Sequence, residues 1–344
     1  MSSEGGGEMV RNDGTPVPSH GPVLPIDQWR HRPAIEMEEF ELVLDDHVVR
    51  YSVSSNSDAH GSGGPGTPPI WAINLHGYLA GGEMYARESC TLAHRLGWRV
   101  VNPSLAGFGG SDPLDWQHLS IKTMAEQVEA LRKHLELGPV VVLGHSMGAA
   151  VAIEYATNFP SSTVAVVYRD GIATPSWQRR DGVIPRFVSR LMPDLAPVAD
   201  MAAAVVLDLP DLMVGRLIAT LRSVLPDVRR NLKTIAHAVP LGSMLLEVDQ
   251  RDEVAALRDS GIPLIAEWGC FDHLTDATTA EEFAELSGSP VQWVPGGHSW
   301  MLARPGGQAD LLQHTSAGIA FMKLLELRNT KLHRRYRRPV KQAS

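Results

Sequence analysis

The sequence predicts an α/β fold, with a mostly parallel sheet covered by helices on both faces. Three observations carry this. From Ile70 onward, short apolar runs rich in β-branched residues alternate with helix-period stretches. One such run, Val140-Val-Val-Leu-Gly144, passes through a very tight turn into the alanine-rich stretch Ala149-Ala-Val-Ala-Ile-Glu-Tyr-Ala156. The polar residues His76, Asn102, Ser146 and Asp170 all fall just past strand ends, where open parallel sheets bind ligands.

The elements follow in order. Residues 1–35 are rich in Gly, Pro and polar groups and read as a flexible leader. Glu39-Phe-Glu-Leu-Val-Leu44 alternates as a half-buried strand should, and His47-Val-Val-Arg-Tyr-Ser-Val53 pairs with it as a hairpin. Ser54 to Pro69 reads as a floppy loop. Then come strand Ile70–Leu75, helix Glu83–Leu96, strand Trp98–Asn102, helix Ser120–Leu135, the strand ending at Gly144, and strand Val164–Tyr168. The alternation breaks over 174–247, which is helical in pattern, proline-punctuated and rich in Met and Leu. That stretch reads as an inserted helical cap, a few of whose side chains line an apolar pocket. The alternation resumes with helix Asp252–Ser260, strand Pro263–Trp268, helix Thr279–Leu286, strand Pro290–Pro295 and a closing helix from about Gln308 to Leu327. The core is thus 36–173 with 248–327, and 328–344 is a basic tail with seven Lys or Arg, read as a mobile end.

Composition excludes several classes. The chain has 344 residues, 44% of them hydrophobic, which is enough for a sizeable core. A net charge of −8 argues against nucleic acid as a partner. Cys90 and Cys270 match no zinc or redox spacing, so no disulfide framework and no metal or cofactor site is expected. His94, His118, His134 and His237 fit no metal spacing either. The first residues lack the basic and apolar regions of a signal peptide, and no run is long enough to span a membrane. The expectation is a soluble cytoplasmic protein with a small-molecule partner. Its oligomeric state is not predicted.

The chemistry centres on Gly144-His-Ser-Met-Gly148, a G-x-S-x-G turn between strand and helix. Such a turn strains the serine backbone and lifts its hydroxyl clear of the sheet. A serine hydroxyl is a poor nucleophile near neutral pH and needs a base, and the base needs an orienting acid. Ser146, Asp272 and His298 supply that set from successive strand-end loops, in the order Ser…Asp…His. Asp170, after the preceding strand, is the competing acid. The oxyanion hole would take the Met147 N–H and a second N–H from the loop after Leu75: Tyr78, or else Leu79. His76 and His145 are expected to shape their turns through hydrogen bonds, and His273 and Cys270 to pack.

Taken together, His76-Gly77, Gly107-Phe-Gly-Gly-Ser111, Gly144-His-Ser-Met-Gly148, Gly269-Cys-Phe-Asp272 and Gly297-His298 resemble the α/β-hydrolase fold superfamily over roughly 35–327. The resemblance implies an eight-stranded sheet with a cap after the sixth strand. It also implies acyl-enzyme hydrolysis of an ester-like bond with no cofactor. Relatives that open epoxides or displace halides carry an aspartate where this chain has Ser146. His76-Gly-Tyr-Leu79 lacks the glycine run of the hormone-sensitive-lipase branch and the Gly-Gly-Pro-Gly of the aminopeptidase branch. Esterases, lipases, thioesterases, lactonases, carbon–carbon bond hydrolases and perhydrolases stay open. So does a ligand-binding protein on the same scaffold. The expected substrate is an ester or thioester with an apolar acyl part.

Overall fold

The computed structural model describes residues 35–44, 46–55, 68–179 and 217–336. The proposed leader, most of the Ser54–Pro69 loop, residues 180–216 of the predicted cap and the last eight residues lie outside that set.

Eight strands form one sheet in the order β1-β2-β4-β3-β5-β6-β7-β8. β1 (Met37–Leu44) and β2 (His47–Ser54) are the antiparallel hairpin read from the sequence. Its tight turn puts Asp46 at φ 65, a left-handed conformation that aspartate tolerates. β2 also runs antiparallel to β4 (Arg99–Pro103). The other strands are parallel: β3 (Trp71–Leu75), β5 (Val140–His145), β6 (Thr163–Arg169), β7 (Leu264–Gly269) and β8 (Val291–Val294).

The central strands are buried on both faces, which is why they read as unbroken apolar runs. Alternate residues still go to opposite sides. Val140 and Val142 join a core with α2 (Ile121–His134), α3 (Met147–Asn158), α6 (Arg251–Ser260) and α7 (Ala277–Ser287). Val141 and Leu143 face a second core with α1 (Ala86–Leu96), α9 (Gly307–His314) and α10 (Ser316–Tyr336). Between β6 and β7 the chain forms α4 (Leu217–Asn231) and α5 (Ile235–Leu245), and the described residues there contain no strand.

Two expectations need correcting. The closing helix is broken at Thr315, whose hydroxyl accepts the Gly318 N–H at 2.9 Å and caps a new helix. That helix continues to Tyr336, well into the stretch read as a mobile basic tail. Leu325, Asn329 and Leu332 are the cause: at helical spacing they form a buried stripe among the charges. Arg328, one of the charges taken for solvated, donates to the Thr163 and Pro160 carbonyls at 3.1 and 2.9 Å.

Strand order reverses between β3 and β5. The chain leaves β3 towards β4 on one side, then crosses back to β5 on the other. Loops leaving two neighbouring parallel strands in opposite directions open a crevice at their carboxyl ends. The loop after β3 and the turn after β5 flank that crevice.

Candidate active site

Ser146 sits between β5 and α3 with φ 54 and ψ −118. This is a left-handed conformation that non-glycine residues avoid, at a typical cost of about 1–3 kcal/mol. Close packing enforces it. A Cβ at Gly144 would lie 2.4 Å from the Gly148 carbonyl oxygen, and one at Gly148 would lie 2.4 Å from the Leu75 oxygen. The Ser146 N–H donates to the Arg169 carbonyl at 3.0 Å, which pins the turn to β6.

Asp272 and His298 come together from the loops after β7 and β8. His298 Nδ1 donates to Asp272 Oδ2 at 2.8 Å. The same carboxylate accepts the Leu274 N–H at 2.7 Å, the Thr275 N–H at 2.9 Å and the Thr275 hydroxyl at 2.6 Å. Burial alone would raise its pKa. The charge and hydrogen bond of His298, with those of Thr275, outweigh burial and hold Asp272 below the ordinary carboxylate range. An ionised Asp272 fixes the imidazole proton on Nδ1, so the neutral ring carries its basic lone pair on Nε2.

Asp170 is also buried here, at φ 44, but its partners differ. Its oxygens accept the Gly269 N–H at 2.6 Å and the Trp300 indole N–H at 2.8 Å. Burial, then the neighbouring Asp272 charge, push its carboxyl well above the usual range. It ties β6, β7 and the short helix α8 (Trp300–Ala303) together, whereas Asp272 orients the histidine. Asp170, Asp272 and His298 place ligand atoms within 4.8 Å of one another, as a metal site would. Asp272 already accepts four hydrogen bonds and Asp170 two, so the set fits a hydrogen-bonded network.

The loop after β3 forms a turn in which the Ala80 N–H donates to the Gly77 carbonyl at 3.2 Å and Leu79 takes φ 60. A Cβ on Gly77 would come within 3.2 Å of the Ser146 Cβ, so this loop passes directly beside the serine. Among the described residues, no acceptor engages the N–H of Tyr78, Leu79 or Met147. All three therefore remain candidates to receive an oxyanion next to Ser146.

The two neighbouring histidines act as braces. His76 donates from Nδ1 to the Gly77 carbonyl at 2.8 Å and accepts the Leu105 N–H at Nε2, 2.8 Å. Burial pushes its pKa down to about 4. The Tyr85 hydroxyl donates to His145 Nδ1 at 2.5 Å, and His145 Nε2 donates to the His298 carbonyl at 2.8 Å. The two rings lie 4.8 Å apart, so the residue next to Ser146 grips the loop that carries His298. Burial, then the His298 charge, keep His145 neutral. A groove of about 490 Å³ between α1, α9 and α10 contains none of these residues.

A family profile described as the alpha/beta hydrolase fold matches residues 72–213, the stretch holding the β3 loop, the serine turn and the end of β6. Over that stretch the chain is similar to the α/β-hydrolase superfamily, and its eight-stranded, mostly parallel sheet has the α/β-hydrolase fold. It is 24% identical over 250 residues to a putative non-heme haloperoxidase of Mycobacterium phage D29, covering 72% of this chain and 87% of that one. It is 35% identical over 97 residues to the magnesium-chelatase 30 kDa subunit of Rhodobacter capsulatus, covering 28% of this chain and only 33% of the relative. The fold superposes on a bacterial membrane phospholipase A with a TM-score of 0.63 and 22% identity, over 84% of this chain and 87% of that structure.

Several residues around this candidate site had no sequence signal. Arg169, fully buried, pairs with Glu88 and donates to Asn74 Oδ1 at 2.7 Å, joining β6, α1 and β3 behind the serine. Glu267 accepts from Gln308 Nε2 at 2.9 Å, and burial pushes its carboxyl up to about 8. Asp227 and Asn231 on α4 reach the loop after β3. Each partner lies far away in the chain, so no local spacing marks these contacts.

Proposed function

We propose that the protein is a serine hydrolase that cleaves a carboxylic ester or thioester with an apolar acyl part. The observation that supports this best is the 2.8 Å Asp272–His298 hydrogen bond beside a serine held in a strained turn. Ser146 Oγ attacks the acyl carbon while His298 Nε2 takes its proton. The carbonyl oxygen, now an oxyanion, receives the Met147 N–H and the Tyr78 N–H, with Leu79 as the alternative second donor. His298 then returns the proton to the departing alcohol or thiol, leaving an acyl-Ser146 ester. Water, deprotonated by His298, attacks that ester and releases the acid. Asp272 stabilises the imidazolium in both halves. No step calls for a metal or cofactor.

The apolar preference is supported by the approach to Ser146. Tyr78 and Leu79 are half-buried, and the Tyr78 ring meets Phe108 edge-on at 5.7 Å. In this reading α4 and α5 are part of a cap over the site. The test is hydrolysis of p-nitrophenyl esters of increasing acyl length by wild type and Ser146→Ala. Turnover that the substitution lowers by about 10³-fold or more fits the reading. Equal turnover by both proteins contradicts it.

A further inference from the structure

The loop offered for the oxyanion hole is closed from within by the Ala80 N–H to Gly77 carbonyl bond at 3.2 Å, and the rest of its support comes from outside it. Leu79 occupies a left-handed conformation at φ 60, without the glycine that usually relieves such a turn. Strained backbone of this kind persists only where neighbours over-determine it. Here the neighbour is α4. Asn231, the last residue of that helix and buried, donates from Nδ2 to the Leu79 carbonyl at 2.7 Å and to the Ala80 carbonyl at 3.1 Å. Its Oδ1 accepts the Gly109 N–H at 2.7 Å, from the loop after β4. One side-chain amide thus uses both hydrogens and its oxygen to clip two active-site loops together. Asp227, one turn back and fully buried, accepts the Met84 N–H at 2.9 Å just beyond the turn. The Tyr78 hydroxyl donates to the Ala238 carbonyl of α5 at 2.5 Å.

We propose that Asn231 is a positioning residue for the oxyanion hole: from the inserted segment, it fixes the Tyr78–Ala80 turn so that the turn's N–H groups face the reacting carbonyl oxygen. This rests on the serine-hydrolase reading of Ser146. The amide touches neither substrate nor reacting atoms. It acts by holding two carbonyls of the turn, and with them the direction of the adjacent N–H groups. Loss of the clip should therefore weaken transition-state stabilisation while leaving ground-state binding nearly intact.

The experiment compares wild type, Asn231→Ala, Asn231→Asp and Thr234→Val. Thr234 donates to the Gly107 carbonyl at 2.7 Å, so its loss loosens the same segment without touching the oxyanion turn. Two readouts are taken per reactive serine, counted by end-point labelling with an alkyl fluorophosphonate. They are kcat and KM on a p-nitrophenyl ester, and the rate of that labelling. Phosphonylation also puts an oxygen into the hole but needs no ester substrate. Asn231→Ala should lower kcat and the labelling rate by about 10–100-fold with KM within about threefold. Asn231→Asp keeps the acceptor for Gly109 but loses both donors to the turn, so it should be at least as impaired as Ala. Thr234→Val should stay within about twofold of wild type.

An Asn231→Asp protein close to wild type, or equal losses in Asn231→Ala and Thr234→Val, would overturn the proposal. If wild type hydrolyses no ester yet is labelled at Ser146, the ester reading fails and the relative labelling rates decide the inference. A wild type that is not labelled overturns both.

Discussion

Two turns border Ser146, and they are built on opposite plans. The turn from β5 into α3 is self-sufficient: Gly144 and Gly148 let strand, helix and the neighbouring β3 loop approach so closely that Ser146 has no other conformation. The turn after β3 is also strained at Leu79, and the Ala80 N–H to Gly77 carbonyl bond closes it from within, but further support comes from a distant segment. It is also held from outside, by Asn231 and Tyr78 contacts to a segment about 150 residues away. On the proposed reading, the nucleophile is written into five consecutive residues, while its oxyanion partner depends on how a remote helix docks. The first should survive changes to the inserted segment, and the second should not.

The largest effects should come from the nucleophile and its relay. Beyond Ser146→Ala, Asp272→Asn should lower kcat by about 10³–10⁴-fold, since an amide holds the imidazole in the wrong tautomer. Asp170→Asn should cost less than about tenfold. The asparagine oxygen can still accept from Gly269 or Trp300, and a neutral group there suits a site where burial and Asp272 already disfavour charge. Steady-state kinetics on one ester rank the pair, and a reversed order would move the acid to Asp170.

Smaller effects sharpen the contrast between the turns. Gly148→Ala drives a methyl into the Leu75 and His76 carbonyls, at 2.4 and 2.7 Å, which are backbone and cannot swing away. It should cost about 2 kcal/mol or more in denaturant melts, because the self-built turn has no slack. A pH-dependent effect is expected at Glu267, whose folded pKa of about 8 lies above the unfolded value of 4.5. The folded state binds the proton more tightly, so its contribution is full below pH 4.5 and is lost as pH rises through about 8. Glu267→Gln keeps a neutral group, so its Tm advantage over wild type should grow between pH 5 and pH 8.

Much of this was legible because it is local. β-branched runs bounded by turns mark the strands, glycine spacing marks the Ser146 turn, and the Ser…Asp…His order places the three polar residues on strand-end loops, those after β5, β7 and β8. The structure then brings Asp272 to His298 Nδ1 and gives Asp170 other partners. What was not legible depends on partners distant in the chain. The stripe Leu325, Asn329, Leu332 is hidden among lysines and arginines and shows itself only where the sheet face meets it. The Arg169–Glu88 pair joins residues 81 positions apart. Asn231 looks like an ordinary helix-end asparagine until the β3 and β4 loops come to it. The cap pattern over 174–247 could be read as helical, but helical periodicity does not say which residue touches which loop.

On the proposed mechanism, Ser146 carries the acyl group. Rapid acid quench during turnover of a slowly deacylated ester, followed by mass spectrometry of the digested protein, tests it directly. One added acyl mass is expected on the peptide containing Ser146, and none in Ser146→Ala. Turnover without a covalent adduct, or an adduct on any other residue, would contradict it.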